Sequence, residues 1–401
     1  MLAGTLVVAL FVAPPPAGAA DAFTATAASD DRPTGRITRL TPDGTVELAI
    51  PGGTATVRDV ISLRRTALPL PAFPRGPVLL TTTGDRIPGV LTGGTGETLR
   101  FRPAFAAADW DVPVSAAAVV WSVRAPTDTP ADPARYAWLG GAKRDVVRFR
   151  NGDTLPGTFV GFTADAGVKI APDGGGDART VPATEVSALA FNPGLARARK
   201  PKGPYLRLVL RDGTRLHVTD ATADDATLTA KTLFGRAVEI PLADLVGLDT
   251  VQGRAVSLAD LKPKRAERAS FFTPNWSWTP DRTVRGAPLR LTTAAGDATF
   301  DRGLGTHPRT TLTYDLGGKY RRFEALVGLD AATGGRGRAV VRVLIDGKEA
   351  PLPDLLTLAA GPAVPVRLSV VGAKELTLVV DFGPAGDVQA DVNWADARLV
   401  E

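Results

Sequence analysis

The residues able to do chemistry are few, and their scarcity decides what the chain is not. Of its 401 residues none is cysteine and only two, His217 and His307, are histidine. That excludes a disulfide framework, a thiolate metal site, a cysteine nucleophile and a zinc site built from several histidines. The chain contains no HExxH, GxSxG, P-loop or GxGxxG-plus-acid signature. The chemistry left open to an enzyme is glycoside hydrolysis by two carboxylates, which requires a pair about 5–10 Å apart. Single carboxylates abound, but a non-enzyme is the expectation.

Asp85, Asp153 and Asp212 recur beside Gly84, Gly152 and Gly213. Recurring carboxylates suit a metal or acid–base site, but an aspartate beside glycine is also what a tight turn needs for its own backbone bonding. The turn reading is the expectation, and His217, in the strand-like Arg215–Thr219, reads as a partly buried or surface histidine. The densest basic stretch, Arg197–Lys202, sits between Pro193-Gly194 and Gly203-Pro204, which reads as a linker. A net charge of +5 spread along the chain gives no nucleic-acid face.

The elements that must position these residues are strands. Gly84, Gly152 and Gly213 lie 68 and 61 residues apart, and Pro113, Pro182 and Pro241 lie 69 and 59 apart. Around each glycine, apolar and polar residues alternate on both sides of a turn, the pattern of a β-hairpin. Four or five strands in about 45 residues suit a small SH3-like or Sm-like barrel. Such units are expected over 146–192 and 205–251, with a shortened copy and a first full copy over 36–145. Units so small are marginal alone and should pack on one another.

Residues 2–13 form an uncharged apolar run, followed by Pro14–Pro16 and then Ala17-Gly18-Ala19-Ala20. Small residues at a cleavage point after a short apolar run read as a signal peptide over 1–20, although no basic residue precedes the run. No other stretch reaches the roughly 20 apolar residues of a membrane-spanning helix. The expectation is an exported protein: periplasmic, cell-surface or secreted.

Beyond Lys262–Arg265 the character changes. Period-two alternation in Thr310–Leu316, Arg342–Gly347 and Glu375–Phe382, with glycine-rich turns, predicts an antiparallel sandwich or jelly roll over 265–401. Here the sequence resembles the NPCBM/NEW2 family of carbohydrate-binding modules, related to carbohydrate-binding module family 51. The resemblance rests on Gly303-Leu304-Gly305-Thr306-His307, Tyr314–Gly317, Val327–Asp330, Leu344–Lys348, Gly372–Val380 and Trp394–Leu399, in that order. It departs at Asp391-Val392-Asn393, where the family usually has His or Asp before Trp-Ala-Asp.

The resemblance implies a galactose-binding-like fold and a glycan or polysaccharide as partner. A shallow sugar site needs an aromatic face for the ring's C–H side and planar polar groups for its hydroxyls. Trp276, Trp278 and Trp394 are candidates for the first. His307, Arg309, Asp391, Asn393 and Asp396 are candidates for the second. Competing readings stand beside them: Trp394 as core, Trp276 and Trp278 as one shared buried surface, and His307 as a structural hydrogen-bonding group after a glycine turn. No cofactor is required, while Asp387, Asp391 and Asp396 permit a structural Ca²⁺. The repeats read as a scaffold or docking platform, with envelope proteins as an alternative class of partner and a vestigial glycan site in that case.

Overall fold

The computed structural model describes residues 21–401 apart from 67, 124–135, 140–142, 198, 270–275, 335, 353–356 and 385. The export signal read over residues 1–20 lies outside the described residues. What is described is all-β, with helical turns confined to short 3-10 segments.

Toward the N-terminus lie four five-stranded meanders, at 23–65, 78–121, 145–190 and 205–251. In each, the first four strands pair antiparallel in succession and the fifth returns to the first: Val60–Arg65 to Phe23–Ala27, Ala117–Trp121 to Val78–Thr81, Val186–Ala190 to Asp145–Phe149, and Leu245–Val251 to Tyr205–Leu210. A small sheet closes on itself only if a long strand bends. The second strand supplies that bend in every copy through a register shift, near Ile37, Leu91, Phe159 and Thr219. Fifth strands join neighbours, Val119 opposite Ala190 and Gly247 opposite Arg64. One apolar cluster runs through all four units, from Phe23 and Leu63 to Phe101, Ile170 and Leu248. That shared core answers the problem of units too small to stand alone.

The repeated aspartates divide. Asp153 and Asp212 serve their own turns, accepting from Asn151 Nδ2 and from the Thr214 amide. Asp85 takes the Thr81 hydroxyl in its turn and does more. It is buried and accepts from the backbone amide of His217, while His217 Nδ1 lies 2.7 Å from its Oδ1. The turn reading of Asp85 is therefore incomplete, and His217 is buried where a partly buried or surface position was expected, for one reason. The second strands of the second and fourth meanders face each other, with Arg86 opposite Arg215.

The C-terminal part is a two-sheet sandwich. One sheet runs in the order Thr279–Pro280, Gly303–Thr306, Val392–Val400, Arg322–Leu329, Val364–Ser369, and Ala255–Ser257 also pairs with Val392–Val400. The other runs Arg265–Arg268, Thr310–Asp315, Glu375–Phe382, Ala339–Ile345, Lys348–Glu349. Trp394, Phe323, Val341 and Leu378 fill the space between them. The sandwich is keyed to the meanders by Asp301, whose two oxygens take Arg215 Nη2 and Nε at 2.9 Å each, with both side chains buried.

Candidate functional site

Strand register builds the polar end of the sandwich. Gly303–Thr306 pairs with the last strand so that Gly305 faces Asn393 and Thr306 faces Val392, and the next position brings His307 beside Asp391. The glycine segment is therefore a strand and not the turn expected from its composition. Its glycines are required by close approach: a Cβ on Gly305 would lie 2.3 Å from the Arg282 carbonyl oxygen.

His307 Nδ1 donates to Asp391 Oδ1 at 2.7 Å, and Arg285 Nε donates to Oδ2 at 3.0 Å. The Asp391 side chain is almost wholly buried, so two cationic or N–H partners compensate a desolvated carboxylate. With Nδ1 committed, His307 Nε2 is left facing Asp387 Oδ2 at 3.8 Å, beyond hydrogen-bond range. Arg285 extends over the half-buried Trp276, its Cζ 5.1 Å from the ring centroid. Asp330 completes the cluster. Its amide donates to the Asp391 carbonyl, its carboxylate caps Ala332, and burial pushes its pKa up. Asn393 donates through Nδ2 to the Arg290 carbonyl, which ties the Leu289–Thr293 hairpin strand to this face.

The structure thus brings together Trp276, His307, Asp391 and Asn393, and separates the other candidates. Trp394 is fully buried between the sheets with Nε1 toward Thr306 Oγ1, so its ring is core and offers no face to a ligand. Trp278 packs against the same core from its edge; Trp276 and Trp278 precede the strand that starts at Thr279, so they share no strand face. Arg309 is exposed, 6.0 Å from the Phe382 ring. Asp396 sits past a strand irregularity in the last strand and lines the cleft toward the meanders, away from Asp391. Arg285 and Asp330 are the members that the sequence reading did not select as site residues. Asp330 ends the Val327–Asp330 segment and was legible in that respect, whereas nothing around Arg285 announces it.

The Ca²⁺ expectation does not fit these residues. Asp391 spends both oxygens on His307 and Arg285, and Asp396 is elsewhere. Among the described residues, no three His, Asp or Glu side chains converge in a way that could hold a metal ion.

The family model of the NPCBM/NEW2 domain matches residues 254–400. A protein of Renibacterium salmoninarum named "Putative endo-alpha-N-acetylgalactosaminidase" is 33% identical over 116 residues, 29% of this chain and 7% of its own length. Among solved structures, a carbohydrate-binding module 51 domain of Clostridium perfringens GH95, in complex with methyl-galactose, is similar. It is 24% identical and covers 36% of this chain and 99% of its own, at a TM-score of 0.33. A second C. perfringens structure, the CBM51-2 and INT domains of ZmpB with GlcNAc, is 23% identical. It covers 46% of this chain and 37% of its own, at a TM-score of 0.34. The family-model match gives the chain an NPCBM/NEW2-like domain at residues 254–400, and the chain spans only 7% of the length of the glycosidase-named relative.

Proposed function

We propose that the chain is an exported, non-catalytic glycan-binding protein, with the His307–Asp391–Arg285–Trp276 end of the sandwich as its binding surface. The observation that carries this reading is the pairing of a half-buried indole with a set of fixed polar groups. Trp276 offers a ring for stacking, while His307 Nε2 and Asp387 Oδ2, 3.8 Å apart, are close enough for one hydroxyl beside the pair to bond to both. A pyranose presents both surfaces at once, an apolar C–H face and hydroxyls in the ring plane. The match of residues 254–400 to the NPCBM/NEW2 domain supports the same reading.

The non-catalytic part follows from how the carboxylates at this end are spent. Asp391 is locked by two donors and Asp330 caps a 3-10 turn, so neither is placed as a free acid facing a free base. Export rests on the apolar run and small-residue site in residues 1–20. The meanders, read as SH3-like or Sm-like barrels, serve as scaffold and as the surface for envelope partners.

The test is a broad glycan array probed with the full chain and with Trp276→Ala. Binding that falls at least tenfold in the variant is expected. If no glycan binds the wild-type chain above background, the reading fails. Release of reducing ends from polysaccharide, abolished by one Asp or Glu substitution, would replace it with a hydrolase.

A further inference from the structure

The basic stretch Arg197–Lys202 joins the third and fourth meanders, as a linker should, but it also builds a cavity. The Arg197 amide donates to the Ser115 carbonyl at 3.0 Å, and Pro201 is half-buried. Held in this way, the stretch closes one side of a space of about 450 Å³, within the range of small-ligand sites. The other walls are the 3-10 turn Val114–Ala116 of the second meander and the turn joining Thr227–Thr232 to Ala237–Pro241 in the fourth. Every lining residue belongs to the meanders or to this linker, so the cavity is independent of the His307 end.

Its charge is one-sided. Arg197, Arg199 and Lys231 line it, all three exposed, and none forms an ion pair with a described residue. Asp220 is the one carboxylate of the lining; its side-chain partner is the Thr219 hydroxyl, at 3.3 Å, and no cation closes on it. Elsewhere the protein pairs its cations: Arg64, Arg207, Arg215 and Arg302 each meet a carboxylate. Like charges left around a concave surface focus the field there and concentrate anions. A guanidinium fork also matches a carboxylate or sulfate through two N–H groups at once.

Leu233 and Phe234, half-buried, add an apolar wall. A bare anion would use the cations and leave that wall idle, and a neutral sugar would do the reverse. An acidic sugar uses both, its ring C–H face on the aromatic side chain and its anionic group on the cations. Lys200 lines the neighbouring cleft between meanders and sandwich, and Lys202 is exposed, so the cations continue past the cavity and suit a chain. Phe234 is the one aromatic of the lining, which gives nucleic-acid bases no succession of rings to stack on. We propose that this cavity binds an acidic polysaccharide, with one uronate or sulfated residue seated on Arg197, Arg199, Lys231 and Phe234.

The experiment uses the full chain carrying Trp276→Ala, so that the sandwich end and this cavity are read separately. The probes are tetragalacturonate, a sulfated galactan tetrasaccharide, neutral maltotetraose and a single-stranded DNA of equal charge. Titration calorimetry at about 50 mM and about 300 mM NaCl is the readout. Expected is binding of one or both acidic saccharides at the lower salt, the tighter of the two naming the anion. Their affinity should fall at least tenfold at the higher salt, and at least tenfold when Arg197→Gln and Arg199→Gln are combined. Lys231→Gln should cost at least threefold. These side chains are exposed and the Arg197 anchor is its backbone amide, so the fold should survive, and matching melting curves check that. Failure of both acidic saccharides to bind overturns the proposal. So does affinity indifferent to salt or to the substitutions, or maltotetraose binding equally well. DNA binding as tightly as the saccharides would overturn it too, by assigning the basic stretch to nucleic acid.

Discussion

His307 Nδ1 and Asp391 Oδ1 lie 2.7 Å apart because two paired strands carry them to adjacent ends. The contact fixes the imidazole tautomer, since a carboxylate only accepts, and it leaves Nε2 outward. Asp391→Asn keeps the shape but turns one oxygen into a donor facing Arg285 or His307. We expect a stability loss of about 1–3 kcal/mol in urea unfolding, together with a glycan-binding loss of tenfold or more. Unchanged binding would show that the pair is structural only.

Trp276 and Trp278 are two residues apart and should behave oppositely. Trp278 packs on the sandwich core, so Trp278→Ala should cost roughly 2 kcal/mol of stability. Trp276 touches Arg285 from outside the core, so Trp276→Ala should leave stability within about 0.5 kcal/mol. Its effect should fall on glycan affinity. Paired denaturation and binding curves for the two variants check the contrast, and equal stability losses would contradict it.

Acid should loosen the sandwich from the meanders. Burial alone would raise the Asp301 carboxyl, but Arg215 and Arg207 outweigh it and hold it below the usual carboxylate range. Asp85 is likewise held low, because His217 and Thr81 outweigh its burial. A carboxylate with a depressed folded-state pKa stabilises fully above its unfolded value, near 3.9, and loses that contribution as pH falls through the folded value. Stability should therefore be flat near neutrality and decline below about pH 4. Asp301→Asn should cost about 3–5 kcal/mol at pH 7 by stranding Arg215, and should flatten the acid decline. Calorimetry from pH 7 to pH 2 on both proteins makes the comparison.

The alternation around glycine turns made the strands legible, because a strand's period of two is written in its own residues. The sandwich was legible for the same reason, with Trp394 and His307 standing in fixed order. Long-range pairing was not. Asp85 and His217 are 132 positions apart and meet only because two meanders face each other. Arg285 reaches Asp391 across 106 positions from a loop with no period at all. Turn chemistry is local and appears in the sequence, whereas a buried carboxylate's partners are chosen by tertiary packing.

The segment before His307 offers the most direct test of how backbone approach sets the site. Gly305 lies opposite Asn393 in the strand pair, and on its other side the Arg282–Thr283 backbone crosses it. A Cβ there would stand 2.3 Å from the Arg282 oxygen and 2.7 Å from Thr283 Cα, and backbone cannot swing aside as a side chain does. Gly305→Ala must push the two segments apart, at a cost of about 2–3 kcal/mol. Because Arg282–Thr283 leads directly to Arg285, the displacement should also lengthen the Arg285–Asp391 contact. The expected signature is a joint loss: lower stability in urea, and weaker glycan binding than its stability at the assay temperature explains. A Gly372→Ala control lies in a turn where nothing is within 4 Å of the added carbon, yet its φ of +73° still strains alanine. It should lose about 1 kcal/mol of stability and keep its affinity. If Gly305→Ala binds as tightly as that control, the close approach does not hold the site in place.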